Sequence, residues 1–247
     1  SPSSLNSGLP EWYLQLRKTA WSEFLEIPSP NRKDENWRFA NIKKLSYEGV
    51  NDAQSIDGFD IDQHLSESVH LNSDNNRMIF NNDTFLYQSP SKDDLIDKGF
   101  IFKPLSQALI DHGTLIESYF MKEKSRLGSQ KFYKLNQARQ KEGYFIYVPE
   151  GLEIDEPIEV FHWLSGKDSA IFPYSLIITD KKSNLTVAEY VASSDDQFGL
   201  VCGVSDLIAE DDSTLTYVRT QNLSEKAHSI QSSNVLSHRN SKVKNFS

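Results

Sequence analysis

The sequence contains a single cysteine, Cys202, among 247 residues. One thiol excludes an internal disulfide and any zinc site that needs two or more cysteines. No apolar run approaches the ~18–20 residues that a membrane-spanning helix requires. The first four residues have neither the charged region nor the apolar region of a signal peptide. These absences predict a chain that works in a reducing, cytoplasmic compartment, without a membrane.

Excess positive charge is also lacking. The chain carries 26 basic and 35 acidic residues, for a formal net charge of −9. Because nucleic-acid binding needs a basic surface, this balance predicts no nucleic-acid partner. A phosphate-binding loop is absent as well, since Phe161 stands five positions before Gly166-Lys167, where that loop needs glycine.

Helical spacing dominates the sequence up to about residue 140. Apolar residues recur every three or four positions from Trp12 to Leu25, which predicts an amphipathic helix that ends before Pro28. Further helices are predicted after Pro104, from Thr114 (where Thr114 and Glu117 have the form of a capping box) and over Phe132–Ala138.

The stretch 46–98 within this first part is rich in Asp, Asn and Ser, and we expect parts of it to be flexible. Two short strands are predicted there, Met78–Phe80 and Thr84–Tyr87, with Asn81-Asn82-Asp83 as the turn between them.

Strand patterns replace helical ones from Tyr144 onward. Short apolar segments follow one another every ~10–17 residues with no helix between them, which favours a sandwich, a barrel or a β-solenoid. Polar turns are predicted at 165–168, 180–183, 193–196 and 210–213. The last predicted strand segment, 241–247, runs to the end of the sequence, so we expect a truncated β array. The candidate strands centre on Tyr144–Val148, Val160, Ile177, Val187, Val204, Tyr217 and Ile230.

Two of these strands show a clear two-residue alternation. Leu185, Val187 and Glu189 oppose Thr186, Ala188 and Tyr190, while Leu215, Tyr217 and Arg219 oppose Thr216 and Val218.

One charged segment after the first helix is a candidate docking or structural motif. It places three cations and two anions around one tryptophan, and it fits either a docking surface or a solvated turn with an anchoring indole. Its residues are Arg32, Lys33, Asp34, Glu35, Trp37 and Arg38.

The remaining residues with reactive or metal-binding side chains are predicted to have structural roles. Cys202 lies in an apolar strand-like run, where cysteine usually behaves as a small buried hydrophobe. His162 is expected at a strand surface or core edge, and His228 and His238 could meet only on neighbouring strands. No histidine pair has the spacing of two ligands on one helix face, so no catalytic, cofactor-binding or metal-binding residue is predicted.

Several segments along the chain are similar to those of one known family. They are Leu9–Trp12, Leu16–Lys18, Ala20-Trp21, Pro28 with Pro30, Arg32–Phe39, Lys131–Ala138, Gly143–Gly151, Glu156–Ile158, Leu185–Tyr190 and Leu215–Leu223. Together these segments resemble the SufB/SufD family of iron–sulfur cluster assembly proteins, and SufD most. The resemblance covers almost the whole chain in order and is weakest over 46–98.

This resemblance implies an α+β fold. An amino-terminal, mainly helical domain (1–140) would precede a right-handed parallel β-helix (141–247), a single-stranded β-solenoid that is incomplete at its carboxy-terminal end. It also implies a non-catalytic scaffold that pairs with a SufB-like protein (or with itself, as a homodimer). A SufC-like ATPase would dock on a carboxy-terminal region that is missing here.

The resemblance further implies that the complex builds iron–sulfur clusters and is associated with reduced flavin. No residue of this sequence is assigned to either, and the chain alone is expected to bind no cofactor. Two alternatives stay open: a β-helix enzyme that acts on polysaccharide through acidic residues, and a generic β-rich binding module.

Overall fold

The computed structural model describes residues 8–38, 51–68, 71, 76–122, 130–193 and 198–247. Its helices lie mainly in the first half of the chain. They are α1 (Glu11–Glu26), a 3-10 helix at Glu35–Trp37, α2 (Ile61–Ser66), α3 (Asp93–Asp97), α4 (Leu105–Asp111), α5 (Gly113–Tyr119) and α6 (Gln130–Arg139).

The strands of the described residues form two sheets. They are β1 (Asn51–Asp52), β2 (Arg77–Asn81), β3 (Thr84–Gln88), β4 (Ile101–Pro104), β5 (Gly143–Val148), β6 (Ile158–Leu164), β7 (Ser169–Ile171), β8 (Tyr174–Thr179), β9 (Asn184–Ser193), β10 (Gly199–Ala209), β11 (Thr214–Asn222), β12 (Ala227–Ser237) and β13 (Lys242–Phe246).

The chain alternates between these sheets as a parallel β-solenoid of about three turns. Sheet A has the strand order β1-β7-β10-β8-β5-β4, with β12 also paired to β10, and sheet B has the order β13-β11-β9-β6-β2-β3. Every pair is parallel except β2–β3 and β4–β5, which lie at the first coil. Parallel pairing excludes an antiparallel sandwich and confirms the α+β fold with a β-helix.

Stacked four-residue turns connect sheet A to sheet B. They span 180–183, 210–213 and 238–241, and the third residue of each is left-handed: Lys182 (φ 58°), Asp212 (φ 61°) and Asn240 (φ 56°). Backbone hydrogen bonds link the stack, since Lys182 N donates to Asp211 O (3.0 Å) and Asp212 N donates to Arg239 O (2.9 Å). Identical turn geometry therefore recurs from coil to coil although the side chains differ.

The lumen between the sheets holds the main apolar core. Alternate residues of each strand point inward, so successive coils place their side chains in contact. This core buries Met78, Phe80, Tyr144, Ile146, Val148, Val160, Ile177, Val187, Leu207 and Tyr217, among others. Each fully buried side chain of this size contributes roughly 1.5–3 kcal/mol.

A helical layer, formed by α1, α4, α5 and α6, covers the outer face of sheet A. Helix α1 buries Tyr13, Arg17, Ala20 and Phe24, which follow the predicted helical spacing. Its end at Glu26 is as predicted, because Ile27 is extended ahead of Pro28. The layer packs against the outward residues of β5, β8 and β10.

One detail differs from the sequence prediction. Helix α5 begins at Gly113, and no side chain caps its start, so the capping box predicted at Thr114 does not form. In addition, β2, β3 and β4 precede residue 140 yet extend the sheets of the solenoid. The domain division at residue 140 and flexibility within 46–98 stay predictions. The predicted turn 193–196 lies largely outside the described residues.

Candidate functional site

The predicted docking segment follows α1 as an exposed turn. Arg32, Lys33, Asp34 and Glu35 are all exposed. Asn31 closes the turn, because its backbone N (2.8 Å) and its side-chain Nδ2 (3.2 Å) both donate to Asp34 Oδ2. The turn thus holds the two adjacent cations out from the protein surface.

Trp37 anchors this segment to the fold. Its ring lies 5.6 Å from the ring of Phe132 on α6 and packs at the margin of a cluster that includes Phe24 and Cys202. Arg38, next along the chain, is exposed. The structure therefore combines a fixed indole with exposed charges, and the role of these six residues in docking stays a prediction.

Cys202 lies on the outer face of β10, under α6. It is 1% exposed, and its Sγ donates a weak hydrogen bond to Phe132 O at 3.4 Å. Burial raises the pKa of the Cys202 thiol to about 12. The thiol is therefore protonated at neutral pH, whereas metal binding and nucleophilic attack require the thiolate.

His162 occupies the lumen rather than a strand surface or core edge, so that prediction is wrong. It is 2% exposed and stacks on Phe80 with ring centroids 4.8 Å apart. Burial lowers its pKa to about 4, so the imidazole is neutral at physiological pH.

The predicted meeting of His228 and His238 on neighbouring strands is not observed, because both belong to one strand segment. His228 and His238 lie at opposite ends of β12, where His228 contacts Phe198 and His238 Nε2 lies 3.8 Å from Glu210. His70 lies outside the described residues. Across the part of the chain that the structure describes, no three His, Cys, Asp or Glu residues are grouped to hold a metal ion.

A buried polar network crosses the lumen. Glu189 on β9 and Arg219 on β11 are direct register neighbours, and Arg219 Nε donates to Glu189 Oε1 at 3.3 Å. Each side chain is only 4% exposed. Tyr144 OH, from the opposite sheet, donates to Glu189 Oε2 at 2.7 Å. One carboxylate therefore links the two sheets.

Hydroxyl groups extend this network along the lumen. Ser205 Oγ accepts from Ser175 Oγ (2.7 Å) and from Gln231 Nε2 (2.9 Å), and it lies 3.1 Å from Tyr217 OH. Burial, and next the charge of Glu189, raise the pKa of Tyr144 and of Tyr217 well above the ordinary value. Both phenols stay protonated, so the network acts as a fixed set of hydrogen bonds rather than as an acid–base site.

Sequence reasoning did not assign this network, although its signal was present. The two-residue alternation already placed Glu189 with Leu185 and Val187, and Arg219 with Leu215 and Tyr217. A charged residue in register with apolar ones is the expected signature of a buried, paired charge.

A groove at the first coil tests the polysaccharide alternative. Its volume is about 800 Å³, and it lies between β3 and β4 with Phe85, Ile96 and Phe102 in its walls. Lys103 also lines it, but its Nζ is ion-paired with Asp111. Its walls are mainly apolar, whereas a polysaccharide enzyme requires clustered acidic residues.

The fold and the network define a class of protein. It is a parallel β-helix with a helical layer on one sheet and a lumen that side-chain hydrogen bonds cross.

Two family models match this chain in order. They are the SufBD protein N-terminal region, over residues 3–160, and the SUF system FeS cluster assembly SufBD core domain, over residues 162–247. The chain belongs to the SufBD family.

Curated relatives of this chain are also named as iron–sulfur cluster assembly proteins. The iron-sulfur cluster assembly protein SufD of Bacillus subtilis (strain 168) is 26% identical over 219 residues, which cover 87% of this chain and 49% of that protein. An iron-sulfur cluster assembly SufBD family protein of Staphylococcus saprophyticus is 28% identical over 63% of this chain and 33% of its own length. The chain therefore spans about half or less of the length of these relatives.

No helix among the described residues is long and apolar enough to cross a membrane.

Proposed function

We propose that this chain is a non-catalytic scaffold subunit of a SUF-type iron–sulfur cluster assembly complex in the cytoplasm. The observation that carries the proposal is the match of both SufBD regions, in order, on a β-helix with a helical layer. The cluster is the cargo of such a complex and not a resident group of this chain.

The state of Cys202 supports a platform that relies on partners for cluster chemistry. A buried, protonated thiol bonded to Phe132 O offers no ligand to iron. The partners in this proposal are a SufB-like protein, or a second copy of the chain, and a SufC-like ATPase. The cluster and the reduced flavin belong to the assembled complex.

Co-purification tests the proposal. The tagged chain is expressed together with SufB-type and SufC-type proteins of the same organism, and we expect it to retain at least the SufB-type partner. A Cys202→Ser variant should retain the partner equally well. Isolation of the folded chain as a monomer, with both candidate partners folded and present, would contradict the proposal.

The exposed cations give a second test that concerns the docking segment alone. Arg32→Glu with Lys33→Glu should weaken partner binding about tenfold, because reversing two surface charges removes on the order of 1–2 kcal/mol. Lys167→Glu with Lys181→Glu makes the same charge change on two other exposed loops and serves as the control. Equal binding by both double variants would place docking elsewhere while leaving the scaffold proposal intact.

A further inference from the structure

Strands β7 and β8 lie end to end in one coil of the β-helix and are separated only by Phe172–Pro173. Both strands pair with β10, but β5 begins only opposite Tyr174, so Phe172 lacks a strand neighbour on that side. Two side chains fill the gap instead. Phe172 N donates to Asp83 Oδ2 (2.7 Å), and Asn136 Nδ2 on α6 donates to Pro173 O (3.0 Å). We call this meeting point of helical layer, hairpin turn and β-helix the joint.

The β2–β3 turn fixes Asp83 in the joint. Asn82 and Asp83 are both left-handed, with φ of 50° and 54°, as a tight hairpin turn requires. The Asn82 side chain bridges Ser165, accepting from its N (2.8 Å) and donating to its O (2.9 Å). The Asp83 carboxyl is thereby directed inward, and its Oδ1 is buried with no hydrogen-bond partner among the described residues.

Helices α1 and α6, which meet the β-helix beside the joint, also carry buried polar atoms without partners. Arg17 donates through Nε to Ala138 O (3.1 Å), but its Nη2 is buried and unbonded. The Tyr13 hydroxyl, whose ring centroid lies 5.9 Å from the Arg17 guanidinium carbon, is also unbonded. Gln140, two residues beyond Ala138, is fully buried, and neither atom of its amide has a partner within the described structure.

Such a set of atoms is costly without water. A buried polar group that makes no hydrogen bond keeps the full cost of having lost its contact with water. Internal water typically makes about three hydrogen bonds to groups of this kind. Arg17 can only donate, whereas Tyr13, Gln140 and a protonated Asp83 carboxyl can each donate or accept, which suits water better than an ion of either sign.

Charged groups face Asp83 from each surrounding element. Asp52 on β1 is ion-paired with Arg139 of α6 and lies 3.4 Å from Lys141. Glu142 accepts from Ser106 N (2.9 Å) and Oγ (2.6 Å). Tyr13 on α1 lies within electrostatic range of Arg17, Glu142 and Asp83.

These surroundings bring the pKa of the Asp83 carboxyl close to physiological pH. Burial raises the pKa of Asp83 to about 7. The Phe172 hydrogen bond and Lys141 lower it, while Asp52 and Glu142 raise it further.

We propose that the joint is an internal hydration site and that Asp83, bonded to water there, exchanges a proton when the helical layer loosens from the β-helix. Below pH 7 the carboxyl in the closed joint is mainly neutral and donates to water. Once ionised, the buried carboxylate favours an open joint in which bulk water solvates it. This inference does not depend on the proposed scaffold role.

Thermodynamic linkage gives the sign and size of the effect. Because the pKa of Asp83 is higher in the closed joint (about 7) than its ordinary value of 3.8, closure is favoured at low pH and weakened as pH rises through 7. With these two values, opening should become about tenfold more frequent between pH 6 and pH 8.

Residue-resolved amide exchange by NMR measures this opening. After correction for intrinsic exchange rates, protection of the Phe172 amide and of α1 should fall about tenfold from pH 6 to pH 8. Asp83→Asn mimics the neutral carboxyl and should remove this pH dependence. Asp212→Asn, the same change at an exposed left-handed turn residue, should keep it. Unchanged wild-type protection, or an unaltered pH dependence in Asp83→Asn, overturns the proposal.

Two measurements on the wild-type chain keep the test decisive if the variant does not fold. The carboxyl carbon of Asp83 should titrate with a midpoint near 7, and a midpoint near 4 would overturn the proton-binding role. A high-resolution crystal structure at pH 6 should show water within hydrogen-bond distance of Asp83 Oδ1, and a dry joint would overturn the hydration site.

Discussion

The Glu189–Arg219 pair lets the contribution of the lumen network be measured directly. Arg219→Met removes the cation but leaves the Glu189 carboxylate buried, with Tyr144 OH still donating to it. At the observed 3.3 Å separation and an effective dielectric of about 20, the lost attraction is about 5 kcal/mol. Removing one partner of a buried pair typically costs 3–5 kcal/mol, so we expect a loss of stability in that range.

The second half of the cycle separates pairing from packing. Glu189→Gln keeps an acceptor for Tyr144 and removes the charge, so adding it to Arg219→Met should restore stability to within about 2 kcal/mol of the wild type. Urea unfolding followed by circular dichroism gives the free energies. A fall of roughly 10 °C in the thermal midpoint should accompany the single Arg219→Met change.

An exposed pair provides the control. Lys98 and Asp94 are 3.6 Å apart on the surface, with side chains 59% and 65% exposed, so Lys98→Met should cost less than about 0.5 kcal/mol. If Arg219→Met costs less than about 1 kcal/mol, or if the double variant is as unstable as the single, the buried charge is not the cause and the reasoning fails.

Three further outcomes follow from single residues. His162 is held neutral with a pKa of about 4 against an ordinary 6.5, so its contribution to stability is complete above pH 6.5 and declines as pH falls. Relative to His162→Phe, the wild type should lose about 2.5 kcal/mol more between pH 7 and pH 4.5 in urea unfolding; parallel curves would contradict this. Cys202 should react with iodoacetamide at least about a hundredfold more slowly in the native chain than in urea, since its thiol is buried and protonated. Equal rates would show that the thiol is accessible. Gly143→Ala should cost more than about 3 kcal/mol, because a Cβ there would lie 1.9 Å from Tyr174 O. Gly151→Ala, left-handed but in open space, should cost about 1 kcal/mol, and similar values for both would refute the steric argument.

Local patterns predicted the elements whose faces differ in polarity. The α1 prediction succeeded because Tyr13, Ala20 and Phe24 share one buried face and Pro28 blocks continuation. The hairpin at Asn82-Asp83 succeeded because these residues tolerate left-handed backbone, which its turn requires. The predicted capping box requires Thr114 at the N-cap position. Helix α5 instead begins at Gly113 with His112 at that position, so Thr114 lies inside the first turn and cannot cap it.

Several parts of the candidate site depended on contacts that no local pattern contains. The short strands β1 and β4 have too few residues to show a period, and they exist because β7 and β5 offer hydrogen-bonding edges. The lumen placement of His162 also came from pairing, since its strand β6 is buried on both faces.

The sequence alone determined the amphipathic helix, the strands with their polar turns, and the resemblance that implied a SufBD-type β-helix. It also placed Glu189 and Arg219 on the apolar faces of their strands. Tertiary structure decided that these residues are paired, that Cys202 lies beneath α6 rather than in the lumen, and that Asp83 fills the break at Phe172. The physical reason is distance along the chain. The alternation of apolar and polar residues in a strand shows which of its faces is buried. Its register against a strand some thirty residues away is set by backbone hydrogen bonds, which do not depend on side-chain identity and so cannot be seen in the sequence.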